Sequence, residues 1–267
     1  MNSGDPAALF DLDRLRAAPQ IAALEYHPTI GSTNDRALEL VRSGAASAKT
    51  LILAGEQTAG RGRGSNRWWS GDGALTFSYI DRPGAALDRA SWPRWTLVAA
   101  VAVCDVIELV APDLQPGIRW PNDVHVAGKK ISGILVEAPV VAPGQQQLLI
   151  LGLGLNVNNS LEGAPPEVRA VGTSLSDLTQ SRHDLSEILL RLLERLDQLT
   201  ARLESGDREL VDRWQSLCIL RGRQVGLKLG DREVLGHCQG IAEDGALILE
   251  TSAGRERFFG GVLTRVH

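Results

Sequence analysis

Apolar residues recur with helical spacing in some stretches of roughly the first two hundred residues and with strand spacing in others, and the tail holds only short strand-sized pieces. That change of texture predicts a domain boundary. Ser32 or Thr33 can cap a short helix with Ala37, Leu38 and Val41 on one side, and "TLILAGEQ" after it reads as a buried strand. "ALTFSYI" alternates Leu75, Phe77 and Tyr79 in strand period. Ser91 with Pro93 can start a long apolar helix reaching about Val110. "GILVEAPV" and "QQLLILGLGLNVN", separated by the turn-rich "VAPGQ", are expected to form a central hairpin, and their apolar density implies burial.

From Asp184 to Glu204, Leu185, Ile188, Leu189, Leu192, Leu196, Leu199 and Leu203 fall at helical spacing, with Asp184 and Glu187 placed as a capping box. The reading is a packing helix rather than a coiled coil. From about Leu217, turn signals at "LGD", "EDG", "SAG" and "GG" separate five short strands of a small β-barrel. The expected division is a larger domain over 1–216 and a barrel over 217–267, closely packed because no low-complexity linker intervenes.

Composition narrows the partners. With 43% hydrophobic and 22% charged residues the 267-residue chain has the make-up of a globular protein, and a formal charge of -4 argues against a broad nucleic-acid surface. Cys104, Cys218 and Cys238 are widely spaced and form no C-x-x-C pair, so neither a disulfide framework nor a zinc site is suggested. No apolar run approaches the ~20 residues of a membrane span, and the N-terminal segment lacks the order of a signal peptide. A cytoplasmic location without membrane attachment is expected.

Against that acidic background "QTAGRGRGSNRWWS", Gln57 to Ser70, is a local exception. Its glycines follow neither G-x-G-x-x-G nor a P-loop, and it leads into a strand, so no helix N-terminus receives a pyrophosphate. Arg61, Arg63 and Arg67 must hold an anion themselves, with glycines letting the backbone approach it, and Trp68 or Trp69 can cover a purine. A second cluster, "RWPNDVHVAGKKISGILVE", surrounds a hairpin turn at Ala127 and Gly128. If the turn is symmetric, Asp123, His125, Lys130 and Ser132 share one face and Lys130 is the inward lysine; a turn one residue longer favours Lys129. His125 reads as a surface or packing residue rather than a catalyst, since no nucleophile pairs with it.

"GSTN" at 31–34, "EQTAGRGR" at 56–63, "RWPND" at 119–123, "GKKISGILVE" at 128–137 and "GLGLNV" at 152–157 stand in the order seen in biotin protein ligases, which the chain resembles over roughly residues 25 to 180. The resemblance implies an α+β fold: a mixed-sheet catalytic domain of the biotin/lipoate ligase type followed by a small SH3-like barrel. It implies an ATP-dependent enzyme that makes biotinyl-5'-adenylate and passes the biotinyl group to a lysine of a biotin carboxyl carrier protein. Ser32, Thr33, Asn34, Gln57, Gly60, Arg61, Gly62, Arg63, Lys130 and Gly133 would bind biotin. Arg63, Arg67, Trp68, Asn122, Asp123, Lys130 and Asn156 would bind ATP, with Asp123 on magnesium. Lys130 and Arg63 would be catalytic, offsetting the repulsion between carboxylate and α-phosphate.

Two departures stand out. Gly64, Ser65 and Asn66 replace a more basic loop continuation, and Arg119 stands where lysine is common before W-P-N-D. One cation fewer sits on the loop, but Arg63 and Arg67 remain, and Arg119 keeps the charge without the same geometry, which implies a tuned loop rather than a lost activity. Family members that repress transcription carry a preceding helix-turn-helix, for which the segment before Gly31 is too short, so no DNA partner is expected. The alternatives are a lipoate or octanoate transferase of the same fold, which matches poorly at "GRGRG" and "RWPND", and a non-catalytic anion or RNA-binding module, which leaves Lys130 unexplained.

Overall fold

A computed structural model describes residues 9–82, 84, 92–140 and 147–267. In chain order the first elements are α1 (Leu12–Arg16), β1 (Ala23–Ile30), α2 (Thr33–Arg42), β2 (Thr50–Gln57), β3 (Leu75–Asp81) and α3 (Trp92–Val110). Next come β4 (Pro116–Arg119), β5 (Asp123–Val126), β6 (Lys129–Glu137), β7 (Leu149–Leu155), α4 (Pro166–Val171) and α5 (Leu175–Thr179). The rest are α6 (Leu185–Glu204), α7 (Arg208–Ser216), β8 (Gln224–Leu229), β9 (Arg232–Ile241), β10 (Leu247–Thr251), β11 (Gly254–Phe258) and β12 (Val262–Val266). They divide into two compact units, Met1–Gly84 with Gly128–Asp197 and Ala85–Ala127 with Gln198–His267. No helix among the described residues is long and apolar enough to cross a membrane.

The first unit is built on strands in the order β1-β2-β3-β7-β6. β1 joins β2 in parallel and the other pairs are antiparallel, which makes the sheet mixed. Three cross-strand rows share one face: Thr50–Ile80–Ile150–Glu137, Ile52–Ser78–Gly152–Leu135 and Ala54–Thr76–Gly154–Gly133. Helix α2 lays Ala37 and Val41 against Ile52, Ile80, Ile150 and Leu148 at one end of that face. Its start is fixed by Ser32, whose hydroxyl accepts from the Asp35 amide. Toward the other end the same face carries Gly133, Gly152 and Gly154 with Thr76 and Ser78, between Ala54 on one side and Leu135 on the other. α1 is tied to α6 by the Asp11 amide on the Ser186 hydroxyl and by Arg14 on Asp184 and Glu187. Asp184 also accepts from the Glu187 amide at 3.0 Å, the expected cap.

The second unit holds the apolar helix α3, buried nearly all round from Leu97 to Cys104. Arg213 on α7 staples it through Asp105 and Glu108. The antiparallel pair β4–β5 turns through Trp120–Asn122, with a cis peptide bond at Trp120–Pro121. Backbone bonds from the Ile118 amide to the Leu217 carbonyl (2.7 Å) and from the Ile219 amide to the Ile118 carbonyl (3.1 Å) continue β4 onto the segment after α7. The Trp120 indole donates to the Gly245 carbonyl at 3.0 Å. The five tail strands are all present, in the antiparallel order β11-β10-β9-β8-β12 of an SH3-like domain, with β11 and β12 as its two edges. Cys218 and Cys238, read from the sequence as unrelated, meet in a thiol hydrogen bond that holds Cys218 below and pushes Cys238 above the ordinary cysteine range. All three cysteines are free and buried.

The two expected helix and hairpin starters fare differently. Ser91 and the turn at 141–145 lie outside the described residues, while the hairpin strands themselves pair as β6 and β7. At Ala127 (φ 50) and Gly128 (φ 78) both backbones are left-handed, as a two-residue type I′ turn requires. Lys129 is exposed, whereas Lys130 is half-buried and Ser132 fully buried.

Candidate functional site

Four residues expected near a head group, Ser32, Thr33, Asn34 and Gln57, do come together, and they do so by bonding one another and their neighbours. The first amides of a helix lack partners within it. Gln57, at the end of β2, supplies one: its Oε1 accepts from the Thr33 amide at 2.7 Å and from the Thr33 hydroxyl at 3.1 Å. Ser78 on β3 donates to Thr33 Oγ1 at 2.8 Å and to Asn34 Oδ1 at 2.5 Å. Asn34 in turn donates through Nδ2 to Glu137 at 2.9 Å. Ser32, Thr33 and Asn34 are all buried.

The arginine loop leaves β2 by prolonging its pairing with β1, the Ala59 amide bonding the Gly31 carbonyl at 2.8 Å. It then folds into a miniature hairpin: the Trp68 amide bonds the Gly60 carbonyl at 3.0 Å, Arg61 bridges Arg67, and the Gly62 amide bonds the Asn66 carbonyl at 2.9 Å. Gly64, at φ 66, turns the chain at the tip. Gly64 to Arg67 are exposed, while Gly60 is buried and Arg63 half-buried. A Cβ on Gly60 would lie 2.5 Å from the Trp68 carbonyl oxygen, so only glycine closes this hairpin at its root.

Arg61 does not present its fork outward as an anion receptor. It makes a bidentate pair with Glu137, at 2.9 and 2.8 Å, and reaches Asp35 at 3.0 Å. Burial works to lower its pKa, but the hydrogen bonds and charge of Glu137, helped by Asp35, hold it above the ordinary arginine value.

Trp68 swings back over the bare end of the sheet. A Cβ on Gly154 would meet its indole at 2.2 Å, and one on Gly133 would lie 3.3 Å from the same ring and 3.2 Å from Lys130 Nζ. Lys130 Nζ stands 5.9 Å from the Trp68 ring centroid, within cation–π range. Asn34, Trp68 and Lys130 thus lie over a floor of three glycines, Gly152, Gly154 and Gly133, whose missing side chains give them room.

Asn156 serves the frame of this wall. It is buried, donates to the Thr173 carbonyl at 3.0 Å and accepts from Asn159 at 3.1 Å, while the Thr173 amide bonds the Lys130 carbonyl at 2.9 Å. In the second unit, Asn122 ends the β4–β5 turn, Asp123 pairs in register with Arg119, and His125 is buried. Among the described residues no three His, Cys, Asp or Glu side chains gather as a metal cage. Three participants escaped the sequence reading: Glu137, Ser78 and Asp35. Ser78 left a trace, a polar residue inside a strand buried on both faces.

The Biotin/lipoate A/B protein ligase family matches residues 26–156, and the Biotin protein ligase C terminal domain matches 221–262. The chain is 34% identical to a biotin-[acetyl-CoA-carboxylase] ligase of Paracoccus denitrificans, covering 86% of this chain and 98% of that protein. It is 33% identical to the bifunctional ligase/repressor BirA of Bacillus subtilis, covering 88% and 72%. Among solved structures, a biotin protein ligase from Aquifex aeolicus in complex with biotin and ATP superposes with a TM-score of 0.78 at 28% identity, covering 92% of this chain and 100% of that one.

Proposed function

The chain belongs to the biotin/lipoate A/B protein ligase family, and from that premise we propose that it activates biotin with ATP and transfers it to a carrier lysine of a carboxylase. In the first step a biotin carboxylate oxygen attacks the α-phosphorus, the bond to the β-phosphate oxygen breaks, and pyrophosphate leaves. In the second the neutral amine of the carrier lysine attacks the acyl carbon, AMP leaves, and a proton is released. The observation that carries this reading is the glycine floor that seats Asn34, Trp68 and Lys130 side by side on one sheet face.

Lys130, half-buried beside that floor, is assigned to the two anions that must approach each other, and Arg63 on the loop shares the task. Ser32, Thr33, Asn34 and Gln57 shape the head-group wall, with Gly60, Arg61, Gly62 and Gly133 around it. Arg67, Trp68, Asn122, Asp123 and Asn156 are assigned to the nucleotide. A magnesium ion arriving on the phosphates needs one or two carboxylates rather than a protein cage. Asp123 is the carboxylate assigned to it, and the ion would neutralise phosphate charge.

Residues 1–216 are assigned the chemistry and 217–267 the accessory SH3-like domain. The acceptor is assigned as the biotin carboxyl carrier domain of acetyl-CoA carboxylase, and the three free cysteines suit a reducing cytoplasm. Lipoate or octanoate transfer on the same fold is the reading to exclude. Incubation with ATP, magnesium and a carrier domain, with biotin, lipoate or octanoate offered separately, tests it. Pyrophosphate release and carrier labelling with biotin alone are expected; release with lipoate or octanoate instead would overturn the assignment.

A further inference from the structure

Glu137 ends β6 on the sheet face that carries the glycine floor, and nothing in its motif marks it for a task. Its carboxylate accepts three hydrogen bonds: two from the Arg61 fork, at 2.9 and 2.8 Å, and one from Asn34 Nδ2, at 2.9 Å. Those partners come from the two segments that the proposed function uses to enclose biotin, the arginine loop and the start of α2. Asn34 has its other polar atom on Ser78, and Arg61 Nη1 gives its second hydrogen bond to Asp35.

We infer that Glu137 is a positioning residue whose carboxylate pins the root of the arginine loop to the N-terminus of α2, with Arg61 as the loop's anchor rather than its anion contact. The part concerning substrates rests on the proposed function. Chemistry requires an acceptor-only group here. Arg61 and the Asn34 amide nitrogen both donate, so a carboxylate satisfies both at once, whereas a glutamine would aim an NH2 at one of two donors. Because Arg61 bridges Arg67 across the miniature hairpin, fixing Arg61 fixes both strands of its root. Freedom is left to the exposed tip around Gly64 and Ser65.

The test uses the whole protein as parent, Glu137→Gln, Arg61→Gln, the double variant and Asp35→Asn. Amide exchange over residues 58–69 without substrates is expected to rise about tenfold in either of the first two variants and less in Asp35→Asn. With substrates, KM for biotin is expected to rise roughly tenfold while kcat changes less, and escaped adenylate should label added serum albumin. The double variant should be no worse than the worse single, because both substitutions break one contact. Loop exchange as slow as in the parent, a rise in Asp35→Asn equal to that of Glu137→Gln, or losses that multiply in the double variant would each overturn the inference. If Glu137→Gln does not fold, exchange in Arg61→Gln decides alone, and unchanged protection there refutes it. A parent that releases no pyrophosphate with biotin would instead sink the proposed function, and the exchange comparison would still decide the anchor.

Discussion

The Trp68 indole rests so close to Gly154 that a Cβ there would lie 2.2 Å from its ring, so the tryptophan's seat exists only because residue 154 has no side chain. Gly154→Ala is expected to unseat Trp68, a half-buried loop residue, with little effect on the thermal midpoint but a loss of about tenfold or more in biotin-dependent pyrophosphate exchange. Gly152→Ala meets a different neighbour. Its Cβ would lie 2.0 Å from Oδ1 of buried Asn34, and such overpacking costs about 1–3 kcal/mol. Urea midpoints of the two variants check the contrast; equal destabilisation would refute it.

The two neighbouring lysines should separate sharply. Lys130→Ala is expected to slow pyrophosphate exchange by roughly 10²–10³-fold, since it removes a cation from the wall of the floor. Lys129 is exposed on the strand's other side, and its alanine variant should stay near the parent rate. Similar losses in both would mean that the strand presents both amines to the reaction.

Ala127 takes φ 50 in a turn that prefers asparagine followed by glycine. A non-glycine residue held in the left-handed region is strained, and asparagine tolerates it better than alanine. Ala127→Asn is expected to raise stability by about 0.5–1 kcal/mol without altering activity, read as a higher urea midpoint. A lower midpoint would show that the turn's neighbours reject the amide.

Glu25 on β1 accepts from Arg36 Nε at 2.7 Å, sits 2.7 Å from His27 Nε2, and shares Arg36 with Glu39. Arg36 holds its carboxyl below the usual glutamate range against the opposing effect of burial, and His27 adds a smaller push in the same direction as Arg36. A carboxylate depressed in the folded state stabilises above its unfolded pKa of about 4.3 and loses that contribution as pH falls through the folded value. The gap in urea midpoint between parent and Glu25→Gln should therefore hold from pH 6 to about 5 and close between about 4.5 and 3. A gap that widened in acid would reverse the sign of the argument.

Elements defined by local period or by a cap were legible: α2 from Ser32, α6 from its leucines and Asp184, β3, the β6–β7 hairpin and the five tail strands. β1 was not, because "ALEYHPTI" is half-exposed, carries Pro28, and is defined by its parallel register with β2. A string shows charge but not aim, which is why Arg61 read as an anion receptor and Glu137 read as nothing. The Glu137–Asn34–Ser78 chain exists only through cross-strand rows, and the grouping of α3 with the tail depends on backbone bonds between Ile118 and residues 217 and 219. Neither leaves a local trace.

The sheet face that carries α2 at one end and the glycine floor at the other also sets where this protein can change length. A single-residue deletion early in β7 would turn Leu151 and Leu153 onto the floor and send the glycines to the opposite face, wrecking two surfaces with one event. The exposed tip of the arginine loop, Gly64 to Asn66, is bonded within the loop, whereas Trp68 is seated on Gly154, the Ser70 hydroxyl takes the Gln57 amide and the Gly73 carbonyl takes the Asn158 amide. Insertions and swaps that retune which acyl group fits, or how long its adenylate is held, have room at that tip. For an engineer the strands are a fixed chassis, and the tip of the arginine loop is the replaceable part.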